Sequence, residues 1–260
     1  MAFIYYSEKI MMSEPIFYAN PASINSTHIQ LNKTESHHAV KVLRLPVGAI
    51  VIAIDGNGVG YRCEISKISR DKLVELKIHS VVRNFGETSA LVTLAAGLSA
   101  GSKFDEIIEK CTELGVKRFV PLLTEKGKVK IEDPKRIKSK LTRYNKVALA
   151  AVKQSRRSYI PEITAPTNFH DFISEIDSES DYLCFHPSQQ AKLIHGIKLN
   201  EPVKRLTIII GPESGFSENE INLVIKQKIP TISLGKRILR AENAAPVICG
   251  IIMNLLAEFR

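Results

Sequence analysis

The chain has 260 residues, of which 44% are hydrophobic and 24% charged, with a net charge of +9. That is globular composition with ample material for a buried core, as one large domain or two smaller ones. No unbroken apolar run of about eighteen residues occurs, which argues against a membrane-spanning helix.

The N-terminus, MAFIYYSEKIMM, lacks the basic start and apolar centre of a secretory signal. Residues 1–13 read instead as a disordered leader, with Met11 or Met12 as alternative starts. Cys63, Cys111, Cys184 and Cys249 lie far apart with no C-x-x-C spacing, and the seven histidines form no H-E-x-x-H word. Neither a metal site nor a disulfide framework is expected, but four reduced thiols in a cytoplasmic protein.

Charge is unevenly placed. Residues 126–157 hold twelve Lys or Arg and two acids, Glu132 and Asp133, so this segment alone exceeds the net charge of the whole chain. A solvated helix face normally mixes both signs. A one-signed segment fits a polyanion, nucleic acid first, because phosphates bind such clusters with release of counterions.

From the N-terminal side, PIFYAN and HIQL are short strands and ESHHAVKVL a helix. VGAIVIAID, GYRCEISKIS and KLVELKIHSVVR alternate apolar and polar residues, as half-buried strands do. Asp55-Gly56 and Asn57-Gly58 mark the hairpin between the first two. Residues 14–84 are therefore expected to form a small antiparallel barrel or sandwich. Gly56, Gly58 and Gly60 are no dinucleotide loop, because strand alternation rather than a helix follows them. GLSAGSK (97–103) lacks the spacing of a phosphate loop.

Near residue 86 the texture changes, with NFGET as linker, and a second domain is expected over 87–260. LVTLAAGLSA is an apolar strand and SKFDEIIEKCTELG an amphipathic helix, capped by Ser102 and ended by Gly115. RFVPLLT is a strand, and 134–155 a basic helix with Ile137, Leu141, Tyr144, Ala148 and Val152 on its apolar side. A helix near 168–176, the strands YLCFH and RLTIIIG, a helix opened by the capping box Ser217–Glu220, and the strand TISLG follow. Repeated β–α alternation with apolar strands predicts a parallel sheet with helices on both faces. The last helix, about 242–259, carries no charge between Glu242 and Glu258. It is expected to be buried all round, either inside this domain or partly against a second copy.

Two strands run straight into glycine turns, at Gly211 and Gly235, with one helix between. Strand ends of this kind expose main-chain donors and acceptors at a sheet edge, where α/β proteins bind small molecules. The cationic word KRILR (236–240) places an anionic partner beside such a pocket.

IGPESGFSENEI followed by SLGKRILRAENAA resembles the bacterial 16S ribosomal RNA uracil-N3 methyltransferase family, of the SPOUT superfamily. HHAVKVLRLPVGAIVIAIDGNG resembles that family's PUA-like RNA-binding barrel, and EKCTELGVKRFVPLLTEK and VKQSRRSYIPEI the opening of its catalytic domain. The resemblance spans nearly the whole chain. It implies an α/β fold with a trefoil-knotted, mostly parallel sheet, a homodimer, and S-adenosylmethionine as donor. The donor would lie against Phe185 and His186, against Gly211, Pro212, Glu213 and Gly215, and against Leu234, Gly235, Ile238, Leu239 and Arg240. RNA would meet His38, Arg44, Lys138, Arg143, Arg156, Arg157 and Arg237. The chain departs from the family at Ser214 (a glycine there), Asn243 (a threonine), Ala100 (near basic residues) and Glu125-Lys126-Gly127 (Glu-Arg-Ser/Thr).

Methyl transfer from a sulfonium needs no metal. It needs the acceptor nitrogen in line with the methyl group and the acceptor proton removed. Uracil N3–H is a weak acid whose anion spreads onto the flanking carbonyl oxygens. A cation aimed there stabilises it, a role suited to the planar fork of Arg240, with Lys236 or Arg237 on phosphate. Glu242 and Glu213 are alternative proton acceptors; Glu242 could instead cap the last helix, Glu213 could hold its loop, and solvent could take the proton. Other SPOUT methylations, at ribose 2′-OH or a pseudouridine nitrogen, and a non-catalytic ribosome-assembly factor are the rival readings.

Overall fold

The protein is represented by a computed structural model that describes residues 14–99, 101–129, 133–187, 191–197, 199 and 203–259. The expected leader, residues 1–13, and the departure at Ala100 lie outside the described residues. Two units make up the chain: Met1–Glu87 with Val152–Ile160, and Thr88–Ala151 with Pro161–Arg260.

In the first unit, strands β1 (Ile16–Tyr18), β2 (His28–Gln30), β3 (Ile50–Ile54), β4 (Val59–Ile68) and β5 (Val74–Arg83) form one sheet in the order β1-β3-β4-β5-β2. All its pairs are antiparallel except β1 with β3, which run parallel, a departure from the all-antiparallel expectation. Register shifts at Arg62/Cys63 and Ile65/Lys67 let the two longest strands curl, since each extra residue bends and twists its strand. The curled sheet closes over Phe17, Ile29, Val51, Ile65 and Leu76, all fully buried. Helix α1 (Lys33–His37) starts at Asn32, whose side chain accepts from the amide of Glu35, and runs on into a π-helical turn, His38–Val42.

Residues 152–160 were expected to belong with the second domain but pack within this first unit. Ile160 N donates to Gly56 O at 2.9 Å, and Lys153 Nζ donates to Glu35 Oε1 at 2.8 Å. Val152 is buried beside Ile52, Ile54 and Phe85.

The second unit is built on an eight-stranded sheet. Its strands are β6 (Leu91–Gly97), β7 (Arg118–Leu123), β8 (Glu162–Ile163), β9 (Thr167–Asn168), β10 (Asp181–Phe185), β11 (Lys192–Leu193), β12 (Arg205–Ile210) and β13 (Thr231–Ser233). They lie in the order β11-β13-β10-β12-β6-β7-β8, with β9 also against β7, and every pairing is parallel. The near-continuous apolar run of β12 (Leu206–Ile210, interrupted by Thr207) follows from this place: it has a strand on each edge and is buried on both faces.

Strand order also shows how the chain travels. After laying β6, then β7 and the short β8 and β9 beside it, the chain crosses to β10 and leaves a gap beside β6, which β12 returns to fill. A second return puts β13 between β10 and β11. Later segments therefore pass among earlier ones, and helix α6 (Ala241–Leu255) then comes back to pack on α2 (Lys103–Glu113). Ser102 stands at the N-cap of α2, yet its side chain makes no capping bond. Its ψ of 1° is not the extended conformation that aims a cap oxygen at the helix amides. Gly115 does end that helix, at φ +102°. Helix α3 (Pro134–Gln154) buries Tyr144 and Ala148 on its apolar side, α4 (Phe169–Ser174) is short, and α5 (Glu218–Lys226) carries the expected Ser217–Glu220 capping box.

Candidate active site

Strands β10, β12 and β13 end side by side, and the residues after each wall one cavity of about 540 Å³. Phe185, His186 and Pro187 come from the first, Gly211, Pro212, Glu213, Gly215 and Phe216 from the second, and Leu234, Gly235, Arg237, Ile238, Leu239 and Arg240 from the third. Ile210, Ile232, Ala244 and Ile248 give it an apolar floor. Every residue expected to touch the donor is brought to this one place. The carboxyl edge of a parallel sheet is where such a cavity forms, because the loops there diverge.

Close packing behind the cavity depends on one small residue. A Cβ on Gly97, at the end of β6, would stand 2.3 Å from Pro212 Cδ and 2.4 Å from Pro212 N. No side chain fits there without moving the 211–216 loop. Ser214 adds a tether that glycine would lack: its hydroxyl donates to Lys126 O at 2.8 Å. Nearby, Gly127 N donates to Thr124 O at 3.0 Å, and a Cβ on Gly127 would meet Thr124 Oγ1 at 2.9 Å. This turn is therefore tighter than a Ser or Thr at position 127 would allow.

Charge inside the site is organised by a residue the sequence reading passed over. Lys103, in the first turn of α2, lines the cavity and pairs with Glu213. Its Nζ also lies 3.9 Å from Glu242 Oε1. One ammonium thus joins the start of α2, the loop after β12 and the first turn of α6. The other oxygen, Glu242 Oε2, is buried without a protein partner. Glu242 makes no side-chain cap at α6, whose N-cap residue is Arg240. A buried carboxylate oxygen left unpaired costs free energy unless a ligand group completes it. Only one signal in the sequence pointed to Lys103: its place at a helix start directly after an apolar central strand.

His186 packs against Phe216 with the rings tilted by 50° and their centroids 6.3 Å apart. Burial, and then the positive charge of Lys126, hold its imidazole below the ordinary value, so the ring is neutral at pH 7. The Glu125 carboxylate is held below its ordinary value first by the Ser217 hydroxyl and then by His170, 3.1 Å away.

The residues expected to meet RNA divide. Lys138 and Arg143 are exposed on α3, though Arg143 Nε also pairs with Asp105 at 3.0 Å. Arg237 and Arg240 are exposed on the cavity wall. In the first unit, Arg44 is exposed at φ +54°, and His38 is half-buried with its ring against Phe17. Two arginines turn inward. Arg157 is 2% exposed, and its Nη2 donates to Glu87 Oε2 at 2.8 Å. Arg156 Nη1 donates to the carbonyl of Glu14 at 3.0 Å. Arg157 is thus a buried structural charge, and it leaves the set available to phosphate.

A parallel sheet with interleaved late strands, a loop-walled cavity at its carboxyl edge and a curled β-unit match the trefoil-knotted SPOUT methyltransferase fold with a PUA-like domain that the resemblance implies. Family comparison agrees. Residues 87–253 match an RNA methyltransferase domain and residues 31–78 an RNA methyltransferase PUA domain. "Ribosomal RNA small subunit methyltransferase E" of Synechocystis is 33% identical over 91% of this chain and 76% of its own length. The protein of the same name from Bacillus subtilis is 33% identical over 81% and 83%. A putative methyltransferase from Legionella pneumophila, solved with bound SAM, superposes with a TM-score of 0.82 at 28% identity, over 94% of this chain and 98% of that one. The chain belongs to the RNA methyltransferase family that contains these small-subunit enzymes.

Proposed function

We propose that this protein transfers a methyl group from S-adenosylmethionine to N3 of a uridine in small-subunit ribosomal RNA. The observation that carries the reading is the cavity at the ends of β10, β12 and β13, with its apolar floor, its charged end and the unpaired Glu242 oxygen. These features fit the donor: a flat apolar base suits the floor, and a zwitterionic tail suits the end holding Lys103 and Glu213. Bound there, the donor supplies a methyl group already activated on a sulfonium. The chain's own residues have three tasks. The loops at 211–216 and 234–240 hold the donor through their main chains. Arg240 faces the carbonyl edge of the base and stabilises charge as N3 loses its proton. Glu242, whose other oxygen Lys103 holds, accepts that proton.

N3 lies on the pairing edge of the base, so the uridine must be unpaired or turned out of its helix. Lys138, Arg143 and Arg237, with Arg44 and His38 in the PUA-like unit, hold the flanking RNA. A second copy packs on the exposed apolar side of α6, where Val247 is 44% and Leu255 37% exposed. Ribosomal RNA as substrate places the protein in the cytoplasm.

The test is product analysis. Unmethylated small ribosomal subunits are incubated with labelled donor, and the RNA is digested to nucleosides. Label in 3-methyluridine supports the proposal. Label in a ribose-methylated nucleoside or a methylated pseudouridine, or none at all, refutes it.

A further inference from the structure

We propose that Ile238 is a wedge that enters the RNA base stack and fills the gap left when the target nucleotide turns out toward the cavity. This rests on the uridine-N3 reading, because N3 on the pairing edge obliges the base to leave its helix.

Ile238 lies within the 234–240 loop and lines the cavity proposed to hold the donor. It is 87% exposed, more than any other large hydrophobic among the described residues; Val42 follows at 60%. Ile238 is thus a cavity-lining residue that is almost wholly open to solvent. Leaving an isoleucine uncovered forfeits the free energy its burial would give. The position gains nothing for folding, which points to a use in a complex.

The surroundings indicate the kind of complex. Lys236 and Arg237 precede Ile238, Arg240 follows two residues later, and all three are exposed. An apolar tip among cations is how proteins open a base stack: the cations take phosphates on either side, and the aliphatic group slides between bases. A protein partner fits less well, because the centre of a protein interface is depleted of charge. Isoleucine is suited to the role. Branching at Cβ leaves it few rotamers, so little freedom is lost on insertion.

The test uses an RNA fragment spanning the modified uridine, once as a single strand and once annealed to its complement. The readout is the ratio of methylation rates, paired over unpaired, which cancels any change in donor binding. Ile238→Ala should lower that ratio about tenfold, equivalent to ~1.4 kcal/mol of lost stack-filling. Ile238→Leu should restore most of it. A 2-aminopurine placed next to the uridine in the paired fragment should brighten with the native protein and much less with Ile238→Ala. An unchanged ratio, or no brightening with the native protein, overturns the wedge. So does dissociation of Ile238→Ala into a smaller species in sedimentation, which would show that the residue covers a second copy instead. Failure of the parent reading appears separately, as a product other than 3-methyluridine from the native enzyme.

Discussion

At the scale of single residues, groups that share one cavity do different work. Arg240 acts on the acceptor as charge develops, so its loss should fall on turnover. Arg240→Ala should reduce kcat by about 100-fold, the cost typical of removing one preorganised donor, and should change the affinity for S-adenosylhomocysteine far less. Steady-state kinetics with calorimetry would show the split, and equal losses in both would count against the role. His186 provides a pH test. Its folded value is depressed from 6.5, first by burial and then by Lys126, so the neutral ring is the form the native protein favours. Acidification adds a positive charge beside a cavity whose ligand already carries a net positive charge. Donor affinity should therefore be constant near neutrality and fall only as pH drops through the depressed folded value, which lies below 6.5. His186→Gln should remove that fall, measured by titration calorimetry from pH 7.5 to 5. These residues were not equally visible in the sequence. Arg240 and the glycines stand in a local word and could be read from it. For Lys103 the place at a helix start was legible but the role was not, because that role comes from Glu213 and Glu242, which only the fold brings to it.

Among the elements, the segment 152–160 is the most exacting. Arg157 and Glu87 are both 2% exposed at their side chains, and Glu87 Oε1 also accepts from the amides of Ser158 and Tyr159, at 3.0 and 2.8 Å. Arg157→Met would leave that carboxylate buried without its countercharge. The cost should be about 3–5 kcal/mol, read from urea unfolding, with donor affinity of the folded protein unaffected. A loss below ~1 kcal/mol would mean that water reaches Glu87. A charge count treats Arg156 and Arg157 like the lysines of α3, and nothing local distinguishes an arginine that turns inward. Long periodic elements were legible for a physical reason. The strands β3, β4, β6 and β12 and the helices α2, α3 and α5 bury one consistent face or both, and that leaves a period in the sequence. The two-residue strands β8, β9 and β11 leave none, because main-chain hydrogen bonds made by distant partners define them; in the helix read over ESHHAVKVL, the π-helical turn at His38–Val42 left no separate mark.

For the whole molecule, the parallel sheet could be read from β–α alternation, whereas its order could not. Nothing in an apolar strand says that β12 will fill a gap left earlier in the chain; the family resemblance supplied that. Two expectations belong to this scale. The first concerns salt. If the basic face holds about five phosphates, the logarithm of RNA affinity should fall with the logarithm of salt concentration at a slope of about −3.5 to −4.5. Filter binding between 50 and 300 mM salt would measure it, and a flat response would remove electrostatics from the account. The second concerns assembly. Leu255, 37% exposed on α6, should lie in the contact between copies. If a second copy packs there as proposed, the native protein should sediment as a dimer at equilibrium and Leu255→Glu as a monomer, whereas a native monomer would refute the contact outright.

All of these effects depend on where the donor sits. A crystal structure with S-adenosylhomocysteine tests that directly. The account predicts the ligand in the cavity at the ends of β10, β12 and β13, held by main-chain atoms of residues 211–216 and 234–240, with its tail near Lys103 and Glu213. Density for the ligand at any other surface, or an open cavity in crystals grown with saturating ligand, would contradict it.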